Sequence, residues 1–195
     1  MTTTTQKLTF EEYLTYEDGT DTRYELVDGE LAAMSLGTGK HGTIIHFLTR
    51  QFEDAIAQIA QPWVAIHSVV GVRSPRGRRW DTSRIPDITI LPLTQLDAMS
   101  EREAVIDLSE PPPLLVVEVV SSSTQTEDYR SKRLEYNVLE IPEYWIVDPL
   151  SEQVTLCLLD NELYESFEFR GEQQIQSATF PNLGLSAAQV LAGRR

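Results

Sequence analysis

The run Leu115-Val116-Val117-Glu118-Val119-Val120 sets one carboxylate among five residues that seek burial. Apolar, β-branched residues at that density and length read as a strand. Side chains alternate along a strand, so Glu118 shares a face with Val116 and Val120, while Leu115, Val117 and Val119 line the other. Both faces are apolar, the pattern of a strand covered on both sides in an α/β fold. An isolated charge in that place costs several kcal/mol even after relaxation. Protonation, a buried basic partner or a cation must compensate for it.

One strand earlier, Pro86-Asp87-Ile88-Thr89-Ile90-Leu91 starts a short apolar strand on an acid. Alone, Asp87 reads as a turn or cap residue and Glu118 as half of a buried ion pair. Together, two carboxylates from adjacent strands suit a hard divalent cation such as Mg²⁺, with Mn²⁺ as an alternative. Lys132 follows on a helix expected over 127–139, on the same face as Tyr129 and Tyr136. A lysine near such a cation orients an attacking water or stabilises charge developing on a phosphate. On the helix alone, a solvent-facing lysine is the simpler reading.

Outward from this centre, Thr9 and Glu12 form a capping box on a short helix at 8–14. Asp28-Gly29 within Tyr24-Glu25-Leu26-Val27-Asp28-Gly29-Glu30-Leu31 predicts an antiparallel hairpin. Ile44, Ile45, Leu48, Phe52, Ala55, Ile56 and Ile59 recur at helical spacing behind His41. Trp63 to Val72 reads as one β-branched run, with a turn at Ser74-Pro75-Arg76-Gly77. Residues 92–110 read as a loop with a short helix, and Pro111 to Pro113 deliver the chain extended into the Glu118 strand. Tyr144 to Asp148, Val154 to Leu159 and Leu163 to Phe169 continue as strands, and a short helix ends the tail.

The 195 residues predict one domain, 1–195, able to bury roughly 70% of its unfolded surface. One cysteine, Cys157, excludes an internal disulfide and any multi-cysteine zinc site, and its apolar surroundings predict a buried thiol. The threonine-rich start has no apolar core behind it, and the most apolar stretch is short and holds Glu118, so a cytoplasmic protein with no membrane span is expected. The net charge of −14 gives nucleic acid no global attraction. Arg73, Arg76, Arg78, Arg79 and Arg84 nevertheless cluster, as do Arg130, Lys132 and Arg133. They read either as local basic patches, which two copies of the chain would join into one groove, or as a solvated hairpin tip.

Pro86-Asp87, Val117-Glu118-Val119-Val120-Ser121, Asp128, Lys132, Tyr136 and Tyr144-Trp145-Ile146-Val147-Asp148-Pro149, with the early Tyr24 to Leu31 motif, resemble the Uma-two family. That family is abundant in cyanobacteria and is assigned to the restriction-endonuclease-like PD-(D/E)xK superfamily. The resemblance implies a mixed central β-sheet flanked by helices, with additional antiparallel hairpins. It also implies a metal-dependent endonuclease acting on nucleic acid, DNA in the first instance, and often as a dimer. Asp87 and Glu118 would bind the metal with the main-chain carbonyl of Val119, and Glu25 would be the accessory acid. The superfamily's lysine two residues after the glutamate is Val120 here, and Lys132 fits the migrated position. His41 resembles a recurrent family histidine, with a helix-start role as the alternative; His46 and His67 fit no pattern and read as structural. Two other functions stay open: a non-catalytic metal- or protein-binding module on the nuclease fold, and a phosphoesterase acting on small substrates.

Overall fold

A computed structural model describes residues 7–76 and 80–194. The tract 1–6, Gly77, Arg78, Arg79 and Arg195 lie outside them, as do the side chains of Pro75, Arg76 and Trp80. A short helix, α1 (Phe10–Leu14), carries the expected Thr9–Glu12 capping box and leads to the hairpin β1 (Tyr24–Val27) and β2 (Glu30–Ala33). Asp28 and Gly29 turn it with φ of 50° and 79°, the left-handed pair that such a two-residue turn requires.

Helix α2 (Gly39–Ile59) spans 21 residues and buries Ile44, Leu48 and Phe52 completely. The run expected as one strand is instead two, β3 (Trp63–His67) and β4 (Gly71–Arg76). Ser68 breaks it with a φ of 52°, a backbone choice that apolar patterning does not announce. Of the turn expected at Ser74 to Gly77, residues 74–76 belong to β4, which pairs antiparallel with β5 (Trp80–Arg84), and Gly77 lies outside the described residues.

Then follow β6 (Ile88–Pro92), α3 (Leu93–Asp97), β7 (Val105–Ile106) and β8 (Leu115–Val119). The helix expected over 127–139 opens as a π-helical turn, Glu127–Lys132, and continues as α4 (Arg133–Val138). Strands β9 (Glu143–Asp148), β10 (Gln153–Asp160) and β11 (Leu163–Phe169) precede the terminal α5 (Ala187–Ala192).

The described residues form two mixed sheets, one ordered β2-β1-β5-β4-β7 and the other β11-β10-β9-β8-β6-β3. In the six-stranded sheet β8 and β9 run parallel and the other neighbours antiparallel. Parallel neighbours need a crossover connection, and the π turn with α4 supplies it. Every residue of β8 is buried. Leu115, Val117 and Val119 face α2 and pack with Phe52, Trp145 and Phe180. Val116 and Val120 face the opposite way, toward Tyr136, Tyr144 and Val72. Cys157 is buried on that second side, as its surroundings predicted. No described helix is long and apolar enough to cross a membrane.

Candidate active site

The register that pairs Ile88 of β6 with Val117 of β8 brings Asp87, one step beyond the strand, beside Glu118 and Val119. Asp87 Oδ2 accepts the Val119 main-chain N–H at 2.7 Å. Glu118, alternating onto the face of Val116 and Val120, points to the crossover helix and is only 4% exposed. Tyr136 of α4 donates its hydroxyl to Glu118 Oε1 at 2.7 Å. Lys132 Nζ lies 2.8 Å from Glu118 Oε2 and 3.0 Å from Asp128 Oδ1. Lys132 is therefore buried at the centre of the site, not on a solvent face. Its expected aromatic neighbours divide: Tyr136 serves Glu118, whereas Tyr129 donates to Asp148 Oδ2 at 3.3 Å.

Asp128 is a member of the site that sequence reasoning left without a role. It is 1% exposed, and apart from the ion pair with Lys132 its carboxylate oxygens have no hydrogen-bond donor among the described residues. A polar run such as Glu127-Asp128-Tyr129-Arg130 reads as a solvated face. The signals were its place among the residues of the resemblance and its spacing to Lys132, which the π turn converts into a buried contact at a place where such turns often mark function.

His41 joins the site. Thr38 caps α2 by accepting the His41 main-chain N–H, which fixes the imidazole at the helix start. His41 Nε2 sits 3.2 Å from Asp87 Oδ2, with both side chains about one-fifth exposed or less. The hydrogen bond to Asp87 raises the imidazole's affinity for a proton, against the opposing effect of burial, and the Val119 main chain adds to the rise. His46 and His67 are exposed on α2 and β3 and take no part in the core.

Glu25 faces the site from β1. Its Oε1 accepts the Ile85 N–H at 2.9 Å, and its Oε2 pairs with Arg84 Nη1 at 3.1 Å. Two members of the arginine run, Arg73 and Arg84, are tied to acids; Arg78, Arg79 and the side chain of Arg76 lie outside the described residues. Arg84 is 3% exposed, and Arg73 pairs with Asp81 and Asp107 while its guanidinium covers the Phe10 ring at 3.9 Å. In the second basic group Arg133 donates to the Tyr164 carbonyl and to Ser166.

Burial pushes the Glu118 carboxyl up to about 8; Lys132 opposes the shift, and Asp128, Asp87 and Glu25 reinforce it. Burial alone would lower the Lys132 ammonium, but Glu118 and Asp128 hold it above its ordinary range. Several acids around one ammonium leave a net demand for positive charge. A proton or a cation meets that demand equally well. Among the described residues no group of three or more His, Cys, Asp or Glu is disposed to hold a metal. The donor set of Asp87, Glu118 and the Val119 carbonyl is all oxygen and holds two carboxylates. That chemistry fits a cation such as Mg²⁺, which keeps several waters and takes one or two carboxylates, better than a closed protein cage.

The family model of Uma2, described as "Putative restriction endonuclease", matches residues 10–188. No curated protein matches the chain. Among solved structures, one of a "putative nuclease belonging to DUF820" from Anabaena variabilis superposes with a TM-score of 0.75 at 16% identity. The match covers 95% of this chain and 98% of that one. At that identity the likeness concerns the fold, and it extends over both sheets.

Proposed function

Since the chain belongs to the Uma2 family, we propose that it is a metal-dependent endonuclease that hydrolyses phosphodiester bonds in nucleic acid, DNA in the first instance, with residues 1–195 acting as one nuclease-like domain. The observation that carries this reading is the buried Glu118 carboxylate, gripped by Lys132 and Tyr136 with Asp87 beside it. Asp87, Glu118 and the carbonyl of Val119 would hold Mg²⁺ or Mn²⁺. When bound, the cation would polarise a phosphoryl oxygen and make a neighbouring water more acidic.

Each residue then has a definite task. Lys132 offers a fixed positive charge to the attacking water or to the phosphate as negative charge grows on it. Asp128 holds the same ammonium as a second acid, 3.0 Å from Nζ. His41, braced by Asp87, stands at the more exposed edge, where a phosphate would enter. Glu25 acts as the accessory acid through its position beside Ile85. In the reaction the water oxygen bonds to phosphorus, the bond from phosphorus to the leaving sugar oxygen breaks, and the water's proton departs to solvent or to the leaving oxygen.

Plasmid nicking in Mg²⁺ or Mn²⁺, with cation binding followed by calorimetry, tests the assignment. Asp87→Ala and Glu118→Ala should each abolish nicking and weaken cation binding. Unchanged metal-dependent cleavage in both variants would sink it. The burial of both Glu118 and Lys132 favours a second reading, a metal- or protein-binding module that keeps the nuclease fold. Wild-type protein that binds cation at Glu118 yet nicks neither DNA nor RNA would select that reading.

A further inference from the structure

Arg84 ends β5 of the five-stranded sheet and is 3% exposed, yet its partners lie on two other elements. Its Nε and Nη2 reach Glu135 of α4 at 2.8 and 3.2 Å, a two-pronged grip, and its Nη1 reaches Glu25 of β1 at 3.1 Å. Glu135 is itself 5% exposed and follows Lys132 by less than one helical turn, immediately before Tyr136. Lys132 and Tyr136 are the two side chains that hold Glu118. The guanidinium therefore grips the crossover helix between the two residues that define the site, and the same group steers the accessory acid. Along the chain, residues 84–87 supply the grip on α4, the N–H that fixes Glu25, and Asp87 itself.

We infer that Arg84 is a positioning residue, which fixes α4 and Glu25 relative to Glu118 so that Lys132 and the accessory acid address the same point. The inference rests on the nuclease reading only for what the site does; the positioning itself concerns the protein without cation. A buried arginine joined to two acids is a poor way to gain stability, because apolar residues of similar volume often serve at least as well. Arginine's rigid planar fork instead fixes direction, which lysine's flexible ammonium does not.

The test uses the full chain with Arg84→Lys and with the double variant Arg84→Met/Glu135→Met, whose paired apolar replacement removes both members of the two-pronged grip. Thermal unfolding measures stability, competitive amine labelling of metal-free protein measures how tightly Lys132 is held, and Mn²⁺ titration measures the site. Arg84→Lys should fold, label Lys132 about tenfold faster, and lose about 10- to 100-fold in Mn²⁺ affinity, the range typical of residues that orient metal ligands. The double variant leaves Glu25 with the Ile85 N–H but without its arginine; it should fold and still show the faster labelling. Either variant, folded and labelling Lys132 at the wild-type rate, would overturn the inference. Wild-type protein that binds no Mn²⁺ would instead defeat the metal reading, while the labelling rate would still decide the role of Arg84.

Discussion

At the scale of single residues, the unusual quantity is the proton on Glu118. Its carboxyl is pushed from an ordinary 4.5 to about 8, with burial as the main cause. Between those values the folded chain holds a proton that the unfolded chain has released, so stability falls as pH rises through the window. The His41 contribution has the same sign. Its raised affinity for a proton adds stability that is fully present below about 6.5 and is lost as pH rises through the folded value. The melting temperature of metal-free protein should therefore decline from about pH 4.5 to about pH 8, and Glu118→Gln should flatten most of that decline. Cation binding should behave oppositely. A cation displaces the proton, so affinity should rise with pH up to about 8 and level off above it. Calorimetry in buffers of different ionisation enthalpy would register the released proton. Affinity independent of pH across this window would refute the assignment of Glu118 as a ligand.

At the scale of elements, the start of α2 offers a second handle. A Cβ on Gly37 would lie 2.7 Å from His41 Nδ1, closer than side chains tolerate, so Gly37→Ala should push the imidazole away from Asp87. Nuclear magnetic resonance should find His41 titrating lower in Gly37→Ala than in wild type, because the hydrogen bond that raises it is lost. An unmoved His41 would show that the ring is held by something other than Asp87. The elements also mark where the sequence spoke and where it fell silent. The apolar stripe of α2, the Asp28-Gly29 turn and the alternation about Glu118 are local patterns, and each marked its element; the stripe is buried except for Ile59, at the end of the helix. The break at Ser68 and the π turn at Glu127–Lys132 depend on distant partners, so local patterning passed over both. Arg84 looked like part of a basic surface because no window of sequence contains Glu25 and Glu135 together. From its helix alone Lys132 read as a solvent-facing lysine for the same reason, and only the resemblance placed it in the site.

At the scale of the whole molecule, charge decides how nucleic acid can be met. The net charge of −14 gives phosphates no general attraction, and three of the sixteen lysines and arginines, Arg73, Arg84 and Lys132, are committed to ion pairs. Each phosphate contact contributes about −0.9 to the slope of log affinity against log salt, so the slope should be shallower than about −4 per chain. Fluorescence anisotropy with a labelled, cleavage-resistant duplex would measure it. Divalent cation should strengthen the binding, because it reduces the negative charge of the site that the phosphate must approach. A steep slope in metal-free buffer, or binding indifferent to divalent cation, would contradict this picture and point to a basic surface formed elsewhere.

The parallel pairing of β8 with β9 through the π turn and α4 also bears on how the protein comes into being. A ribosome releases β6 and β8 first, and the Asp87–Val119 bond can join them early. Glu118 then waits in water. The ammonium and hydroxyl that receive it emerge later, on the segment that must fold back before β9 can align. The newborn chain cannot add β9 to the sheet, and β10 and β11 beyond it, while postponing its chemistry, since the step that brings β9 beside β8 is also the step that delivers Lys132 to the acid.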